Sequence, residues 1–230
     1  MDEILLIDKP AGMTSFGVVA RVRRKLTEEL NRGNQPGLKR QRVKVGHAGT
    51  LDPFATGLMI LLVGKGTKRS YEFLKLDKVY VATIRLGQTS STGDPEGDIT
   101  CTASPENSAP SQADIEKALR RFVGDIEQTP PIYSAIKIDG QRAYALARKG
   151  QEVAMPSRRV TIYALDMLDY AYPDLRIRAH VSSGTYIRTL AEDIGKTLGV
   201  GAYCCELRRI RTGPYDITQT KTLADLGILS

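Results

Sequence analysis

Hydrophobic residues recur along this chain at helix-like and strand-like spacings, and the N-terminal part shows both in turn. A short apolar run at residues 4–7 predicts a strand. In the following segment apolar residues recur every four positions, at Val18, Val22, Leu26 and Leu30. That spacing predicts an α-helix, and Thr14 or Ser15 is placed to cap its first turn. The chain is therefore expected to begin with a strand, a turn and a helix.

Three later patterns predict strands. Residues 58–63 are apolar throughout, and the run is short enough for a buried strand rather than a helix. Residues 79–86 predict another strand. Between residues 175 and 182 apolar residues alternate with basic or polar ones, which is typical of a strand with one buried face. The other face of this last strand should be basic.

Two further helices and a hairpin complete the prediction. The clearest helical spacing is at Ile187, Leu190, Ala191, Ile194 and Leu198, and Gly199 follows at the usual C-terminal position. Ser111 and Asp114 resemble a capping box at the start of another helix, and Asp139-Gly140 is a hairpin turn signal. Because these elements show no regular strand-helix-strand alternation, we expect the α+β class.

The net charge of the chain and its distribution indicate what kind of partner the protein binds. The 230 residues carry a net charge of +7, and the pI is about 9.3. The segment from residue 31 to residue 46 is rich in Gly, Pro and Asn and contains no acid. Its basic residues are Arg32, Lys39, Arg40, Arg42 and Lys44. A basic loop in a basic chain favours a polyanionic partner, and nucleic acid is the foremost candidate.

Cysteine and histidine usage argues against a metal or a disulfide framework. Cys204 and Cys205 are adjacent and Cys101 is remote, which does not match the spacing of a zinc site. There are only two histidines. The N-terminus lacks the regions of a signal peptide, and no apolar run is long enough to span a membrane. A cytoplasmic protein without metal is expected, and a monomer is the default.

The segment from residue 46 to residue 57 is the main candidate for chemistry. It holds three glycines, a proline, one histidine and one aspartate between two predicted elements. Pro53 moves Asp52 away from helical geometry, and the glycines allow a ligand or another backbone to come close. Asp52 could therefore be a carboxylate that a rigid loop holds in position to react with a ligand. The alternative is an ordinary turn, in which Asp before Pro is common.

Three other residues have a functional and a structural interpretation. Arg188 lies in the first turn of a predicted helix, where the dipole disfavours a cation unless a carboxylate is near; an exposed arginine is the alternative. Tyr80 could stack on an extruded base or belong to the core. His47 could be a solvated loop residue or a wedge beside RNA. The segment Gly64–Lys68 lacks the spacing of a phosphate loop, so no nucleotide cofactor is expected.

Five ordered segments resemble the motifs of the TruB family of tRNA pseudouridine-55 synthases. Residues 46–57 match the catalytic motif Gly-His-x-Gly-Thr-Leu-Asp-Pro-x-Ala-Thr-Gly. The other matching segments are Asp8-Lys9-Pro10-x-Gly12-x-Thr14-Ser15, Lys78-Val79-Tyr80 with Leu86-Gly87, Gln128-Thr129-Pro130-Pro131-x-Tyr133-Ser134-Ala135, and Ser183-Gly184-Thr185-Tyr186-Ile187-Arg188-Thr189-Leu190. The resemblance thus covers nearly the whole chain.

The resemblance implies specific roles. Asp52 would be the catalytic nucleophile, Arg188 its ion-pair partner, and Tyr80 the aromatic residue stacked on the target uracil. His47 would fill the space that the flipped uridine leaves in the T loop, and Leu207 would line an apolar pocket. Gly49, Thr50 and Tyr186 belong to the same motifs and would contact the substrate.

The resemblance also implies an architecture. We expect a large, mostly antiparallel mixed sheet flanked by helices, forming one catalytic domain over residues 1–230. A thumb-like insertion over residues 124–152 would grip RNA. No C-terminal PUA domain is expected in this chain, and the basic loop at residues 31–46 is hypothesised to replace some of its phosphate contacts.

The implied reaction converts the T-loop uridine at position 55 of tRNA to pseudouridine. It needs a carboxylate but no redox carrier and no metal. One alternative is the catalytic subunit of an RNA-guided pseudouridylation complex, which a guide requirement would reveal. Another is a non-enzymatic RNA-binding or tRNA-folding protein, in which Asp52 would be dispensable.

Overall fold

The computed structural model describes residues 3–33, 39–102, 109–134 and 155–228, and the backbone of residues 137–138 and 141–142. The α-helices there are α1 (Ser15–Leu30), α2 (Ser70–Leu74), α3 (Gln112–Arg120) and α4 (Ile187–Leu198). The first strands are β1 (Ile4–Lys9), β2 (Val45–Ala48), β3 (Thr56–Val63), β4 (Lys78–Leu86), β5 (Gln88–Ser90), β6 (Ile99–Cys101) and β7 (Gly124–Gln128). The others are β8 (Lys137–Ile138), β9 (Gln141–Arg142), β10 (Arg158–Ala171), β11 (Asp174–Val181), β12 (Ala202–Thr212) and β13 (Tyr215–Asp216).

Nine strands form one mixed sheet in the order β1-β3-β12-β4-β11-β10-β7, with β2 beside β3 and β13 beside β12. Strands β3 and β12 are parallel, whereas β1 with β3, β4 with β11, and β10 with both β11 and β7 are antiparallel. The predicted α+β class with a mostly antiparallel sheet is therefore confirmed. By its internal contacts the chain divides into two units, residues 1–76 with 208–230 and residues 77–207.

The first unit is built around strand β3, which is buried on both faces. Met59 and Leu61 pack with Val18, Val19 and Val22 of helix α1. The intervening residues of β3 face a second cluster, which contains Ala48, Leu58, Ile60, Leu62 and Phe73. A strand covered on both faces has no polar face, which explains why residues 58–63 are apolar without alternation.

Helix α1 begins where the sequence indicated. The side chain of Thr14 caps it by accepting a hydrogen bond of 2.9 Å from the backbone N–H of Gly17. Val18 and Val22 are buried, whereas Leu30 is 46% exposed. The apolar spacing therefore predicted the helix correctly, but its last turn extends beyond the core.

In the second unit the predicted strand at residues 175–181 is confirmed as β11. Its apolar residues Leu175, Ile177, Ala179 and Val181 are fully buried. Helix α4 buries its apolar face and ends at Leu198, and the next residue, Gly199, caps it with a left-handed φ of 73°. Helix α3 has the predicted capping box at Ser111 and Asp114 and packs on β10 and α4. None of the helices in the described part of the chain could span a membrane.

Strand β2 corrects the expected loop at residues 46–57. Val45–Ala48 pairs antiparallel with β3, and His47 lies opposite Leu61. The interpretation of His47 as a loop residue is therefore wrong, because β3 offers this segment backbone hydrogen bonds that the glycine-rich sequence does not reveal. The irregular segment shortens to residues 49–55.

The predicted hairpin around Asp139-Gly140 is confirmed by the antiparallel pairing of β8 with β9. The thumb-like insertion at residues 124–152 begins with β7, which pairs with β10. The turn residues and residues 143–152 lie outside the described residues. The extent of the insertion, and its role in gripping RNA, stay predictions.

Candidate active site

Asp52 lies in the irregular segment of the first unit, and hydrogen bonds fix the backbone on both sides of it. The Ser15 hydroxyl donates to the carbonyl of Leu51 and accepts from the N–H of Leu51, both at 2.8 Å. The carbonyl of Pro53 accepts from the N–H of Gly12 at 2.8 Å. The carbonyl of Asp52 closes the turn by accepting from the N–H of Ala55 at 3.2 Å. The loop therefore presents Asp52 in one backbone conformation.

A buried cation supports the same loop. The side chain of Lys9 is inaccessible to solvent, and its ammonium donates to the carbonyls of Pro10, Met13 and Pro53 at 2.8, 2.6 and 3.1 Å. A buried ammonium is tolerated only when its hydrogen bonds are satisfied. Lys9 thus ties the segment after β1 to the segment after Asp52, and the N-terminal motif acts as a brace for the loop.

Arg209 holds the other end of the segment. It is 1% exposed and donates to the carbonyls of Leu58 at 2.7 Å and Gly49 at 3.1 Å. Strand β12 passes so close that a Cβ at residue 57 would lie 2.2 Å from the carbonyl oxygen of Arg209. Gly57 also has a φ of 104°. Only glycine fits there, which explains the glycine that ends the motif.

Loss of the Ser15 hydroxyl should disturb this loop. Ser15→Ala leaves both backbone groups of the buried Leu51 without their partner, which costs about 1–3 kcal/mol of stability. We expect the rate of the reaction implied by the resemblance to fall as well, because the predicted nucleophile, Asp52, follows Leu51 directly. Urea unfolding and a single-turnover assay would measure the two effects. The matched control is Ser111→Ala, which removes an exposed helix cap worth about 1 kcal/mol and should leave the rate unchanged.

Arg188 is the central charge of the second unit. It lies in the first turn of α4, and its side chain is 3% exposed. The guanidinium donates to the carboxylate of Asp94 at 2.9 Å, to the carbonyl of Thr92 at 2.9 Å and to the carbonyl of Tyr133 at 2.8 Å. The alternative of an exposed arginine at a helix start is therefore wrong.

Sequence reasoning missed Asp94. Its side chain is 5% exposed, and besides Arg188 it accepts from the Thr92 hydroxyl at 2.6 Å and from the N–H of Glu96 at 3.0 Å. The available signal was Asp94-Pro95 within a Gly-rich segment, the same pattern that drew attention to Asp52. The predicted pairing of Arg188 with Asp52 joins residues of different units and stays a prediction.

Tyr186 is positioned by Gln128, the last residue of β7. The side-chain amide of Gln128, which is 1% exposed, donates to the carbonyl of Tyr186 at 3.0 Å and accepts from its N–H at 2.7 Å. The guanidinium of Arg158 lies over the Tyr186 ring, 4.8 Å from its centre. The motif containing Gln128 and the motif containing Arg188 are therefore joined by direct hydrogen bonds.

The other predicted site residues divide between the two units. Gly49, Thr50 and His47 lie with Asp52 in the first unit, and Thr50 is exposed. Tyr80 lies on β4 and Leu207 on β12 in the second unit, and each is 8% exposed. Within the second unit, therefore, Tyr80 and Leu207 contribute mostly buried apolar surface, and Arg188 contributes a fixed positive charge.

Two further titratable groups of the second unit have raised pKa values. Burial raises the pKa of Glu192, which lies one helical turn after Arg188. Burial also raises the pKa of the Cys205 thiol to about 11. That thiol is protonated at neutral pH, which makes it a poor nucleophile. Among the described residues no group of His, Cys, Asp and Glu has the arrangement of a metal site.

Comparison with known proteins agrees with the motifs. A model of the N-terminal domain of TruB family pseudouridylate synthases matches residues 37–187, and a model of the tRNA pseudouridylate synthase B C-terminal domain matches residues 188–228. The tRNA pseudouridine synthase B of Corynebacterium jeikeium is 43% identical over 97% of this chain and 70% of its own length. The enzyme of the same name from Phocaeicola vulgatus is 46% identical over 92% of this chain and 86% of its own length.

A solved structure shows the same fold. The chain matched in a Cbf5-Nop10-Gar1 complex superposes with a TM-score of 0.69 and 31% identity over 96% of this chain. The present chain spans about half of that protein, 52% of its length. The two family models together match more than four-fifths of the sequence, and the curated relatives match nearly all of it. The chain therefore belongs to the TruB family of pseudouridylate synthases.

Proposed function

We propose that this protein converts the T-loop uridine at position 55 of tRNA to pseudouridine, with Asp52 as the nucleophilic carboxylate. That the chain is a tRNA pseudouridine synthase follows from its family. The observation that supports Asp52 is the fixed loop around it. Ser15 holds the residue before Asp52, and Lys9 and Gly12 hold the residue after it. A carboxylate placed in this way needs little reorganisation before it reacts.

The reaction is an isomerisation and needs no oxidant. The bond from N1 of uracil to C1′ of ribose breaks, the base turns, and C5 bonds to C1′ instead. C5 then loses its proton, and N1 gains one. Asp52 must be ionised to act as nucleophile, and a guanidinium nearby favours the ionised form. We propose that Arg188, fixed by Asp94 and by two backbone carbonyls, supplies this charge.

Substrate contacts are assigned by the same proposal. The target base must leave its stack, at a cost of a few kcal/mol. Stacking on Tyr80 contributes about 1–3 kcal/mol towards that cost, and Leu207 helps to exclude water. His47 fills the space vacated in the T loop, and Gly49, Thr50 and Tyr186 contact the flipped nucleotide. We place the reaction in the cytoplasm, because the three free cysteines suit a reducing compartment.

Action without a guide RNA is the form of this proposal that we favour. The curated relatives from Corynebacterium jeikeium and Phocaeicola vulgatus, both named tRNA pseudouridine synthase B, are 43% and 46% identical to this chain. The chain matched in the Cbf5-Nop10-Gar1 complex is 31% identical. The higher identity to the former group supports a tRNA pseudouridine synthase rather than a subunit of such a complex.

The test is pseudouridine formation on an unmodified tRNA transcript with no guide RNA, followed by chemical mapping of the modified position. Product at uridine 55 is expected, and a transcript with cytidine at that position should give none. Product at another uridine would contradict the assignment of the T loop. A requirement for added guide RNA would replace the proposal with the guided alternative.

A further inference from the structure

A basic groove in the first unit is not used by the proposed chemistry. It has a volume of about 840 Å³ and lies between helix α1 and residues 40–42. Its lining consists of Ala20, Arg21, Arg23, Arg24, Thr27, Glu28, Arg40, Gln41 and Arg42. Five of these nine residues are arginines and one is acidic. The helix that forms one wall precedes the residues that the family models match, which begin at residue 37.

The helix wall of the groove is opposite the face that builds the core. Val18, Val19 and Val22 point to the core, and each is no more than 2% exposed. Residues 20, 23, 24, 27 and 28 recur at helical spacing on the other side. The arginines of α1 are therefore not needed for packing.

The second wall is fixed to the helix by hydrogen bonds. The Asn31 side-chain amide donates to the carbonyl of Gln41 at 2.8 Å and accepts from the N–H of Gln41 at 2.9 Å. The N–H of Val43 donates to the Thr27 hydroxyl at 3.2 Å, and Val43 is buried. Arg40 and Arg42 lie on either side of Gln41 and are exposed. Their position beside α1 is therefore held by their neighbours.

The charge of the groove is largely uncompensated. In the part of the chain that the structure describes, no carboxylate forms an ion pair with any of the five arginines, and Glu29 pairs with Lys25 at 3.3 Å. Residues 15–44 contain nine basic and two acidic residues, a net charge of +7. That equals the net charge of the whole chain, so the remaining residues balance to zero. The basic character of this protein thus resides in one helix and the segment after it.

We propose that this groove binds the phosphodiester backbone of the tRNA substrate, an inference that rests on the proposed function. Guanidinium groups bind phosphate oxygens with two donors at once, and neutralising phosphates releases counterions from RNA. Neither the hydrogen bonds to phosphate nor the release of counterions depends on the base sequence. The groove therefore contributes affinity and orientation, and the chemistry at Asp52 proceeds without it.

The test uses two triple variants of equal charge. Arg24→Gln, Arg40→Gln and Arg42→Gln remove three of the five positive charges of the groove. The control triple is Arg121→Gln, Arg176→Gln and Lys221→Gln, three exposed residues elsewhere. Affinity for the tRNA transcript is measured over a series of salt concentrations. The groove triple should raise Kd about 10-fold or more at 0.1 M salt and reduce the slope of log K against log salt by about 2–3. The control triple should change both much less.

A third variant with lysine at the three groove positions keeps the charge and should retain most of the slope. Equal effects of the groove and control triples would overturn the proposal, because the effect would then be one of net charge. A groove triple that binds tRNA as the wild type does would also overturn it, and an acidic protein surface would become the better partner.

Measuring product formation distinguishes a failure of the groove proposal from a failure of the proposed function. At saturating enzyme the groove triple should form pseudouridine at the wild-type rate, within about 2-fold, since none of its residues is assigned to the chemistry. A wild type that forms no pseudouridine at uridine 55 while its tRNA affinity still depends on the groove would contradict the proposed function alone. Product formation with no contribution of the groove to binding would contradict the groove alone.

Discussion

Asp52→Asn is expected to lower the single-turnover rate of pseudouridine formation by at least about 10⁴-fold, in line with the loss of other catalytic nucleophiles. The amide has nearly the shape of the carboxylate but carries no charge, so it can act neither as nucleophile nor as base. The loop should keep its conformation, because Ser15, Gly12 and Lys9 hold the backbone of its neighbours. The rate would be measured at saturating enzyme by mapping pseudouridine in the transcript.

Measuring tRNA binding distinguishes a chemical role of Asp52 from a structural role. Asp52→Asn and Asp52→Ala should both bind tRNA within about 3-fold of the wild type. An exposed control outside the predicted insertion, Asp166→Asn, should retain full activity. Activity that survives both substitutions at residue 52 would contradict the assignment of the nucleophile. A loss of activity that accompanies a loss of binding would make Asp52 a structural residue of the loop.

Asp94→Ala should destabilise the protein by about 3–5 kcal/mol, because it leaves the buried guanidinium of Arg188 without this carboxylate. The side chains of the pair are 3% and 5% exposed, so water can compensate little. Asp94→Asn keeps the acceptor for Thr92 and Glu96 and should cost less. Activity should fall in both variants, since Asp94 fixes the orientation of Arg188. Urea unfolding at constant ionic strength gives the stability.

The matched control is the ion pair between Arg159 and Asp125. Its nitrogen-oxygen distance of 2.8 Å is similar, but its side chains are 77% and 46% exposed. Exposed pairs contribute at most about 1 kcal/mol, so Asp125→Asn should change stability very little. If Asp94→Ala costs no more than Asp125→Asn, burial does not set the strength of the Arg188 pair.

Several elements were predicted correctly because local patterns report local geometry. The spacing of Val18 and Val22, the cap at Thr14 and the alternation along residues 175–181 each depend on residues only a few positions apart. The prediction for His47 was wrong for the opposite reason. Its strand exists because β3 pairs with it, and no spacing within residues 45–48 reveals that partner.

The candidate site was likewise predictable in part from the sequence and in part only from the structure. Family motifs pointed to Asp52 and Arg188, but whether Arg188 is buried or exposed stayed open until the structure showed it beside Asp94, 94 positions earlier in the chain. Likewise the motif that contains Lys9 and Ser15 was recognised in the sequence, but the sequence did not show what these two residues do in the structure. Its reason is the set of hydrogen bonds from these two residues to the loop that carries Asp52.

The sequence by itself determined the class of fold, three of the four described α-helices, about half of the strands, the family and the identity of the candidate nucleophile. Period, capping and motif order are properties of neighbouring residues. Only the tertiary structure decided that Lys9 and Ser15 brace the Asp52 loop, that Asp94 pairs with Arg188, and that Arg24 shares a groove with Arg40 and Arg42. These relations join residues that are 16 to 94 positions apart. Their energies come from burial and from hydrogen bonds across the fold, which the spacing of residues along a chain does not encode.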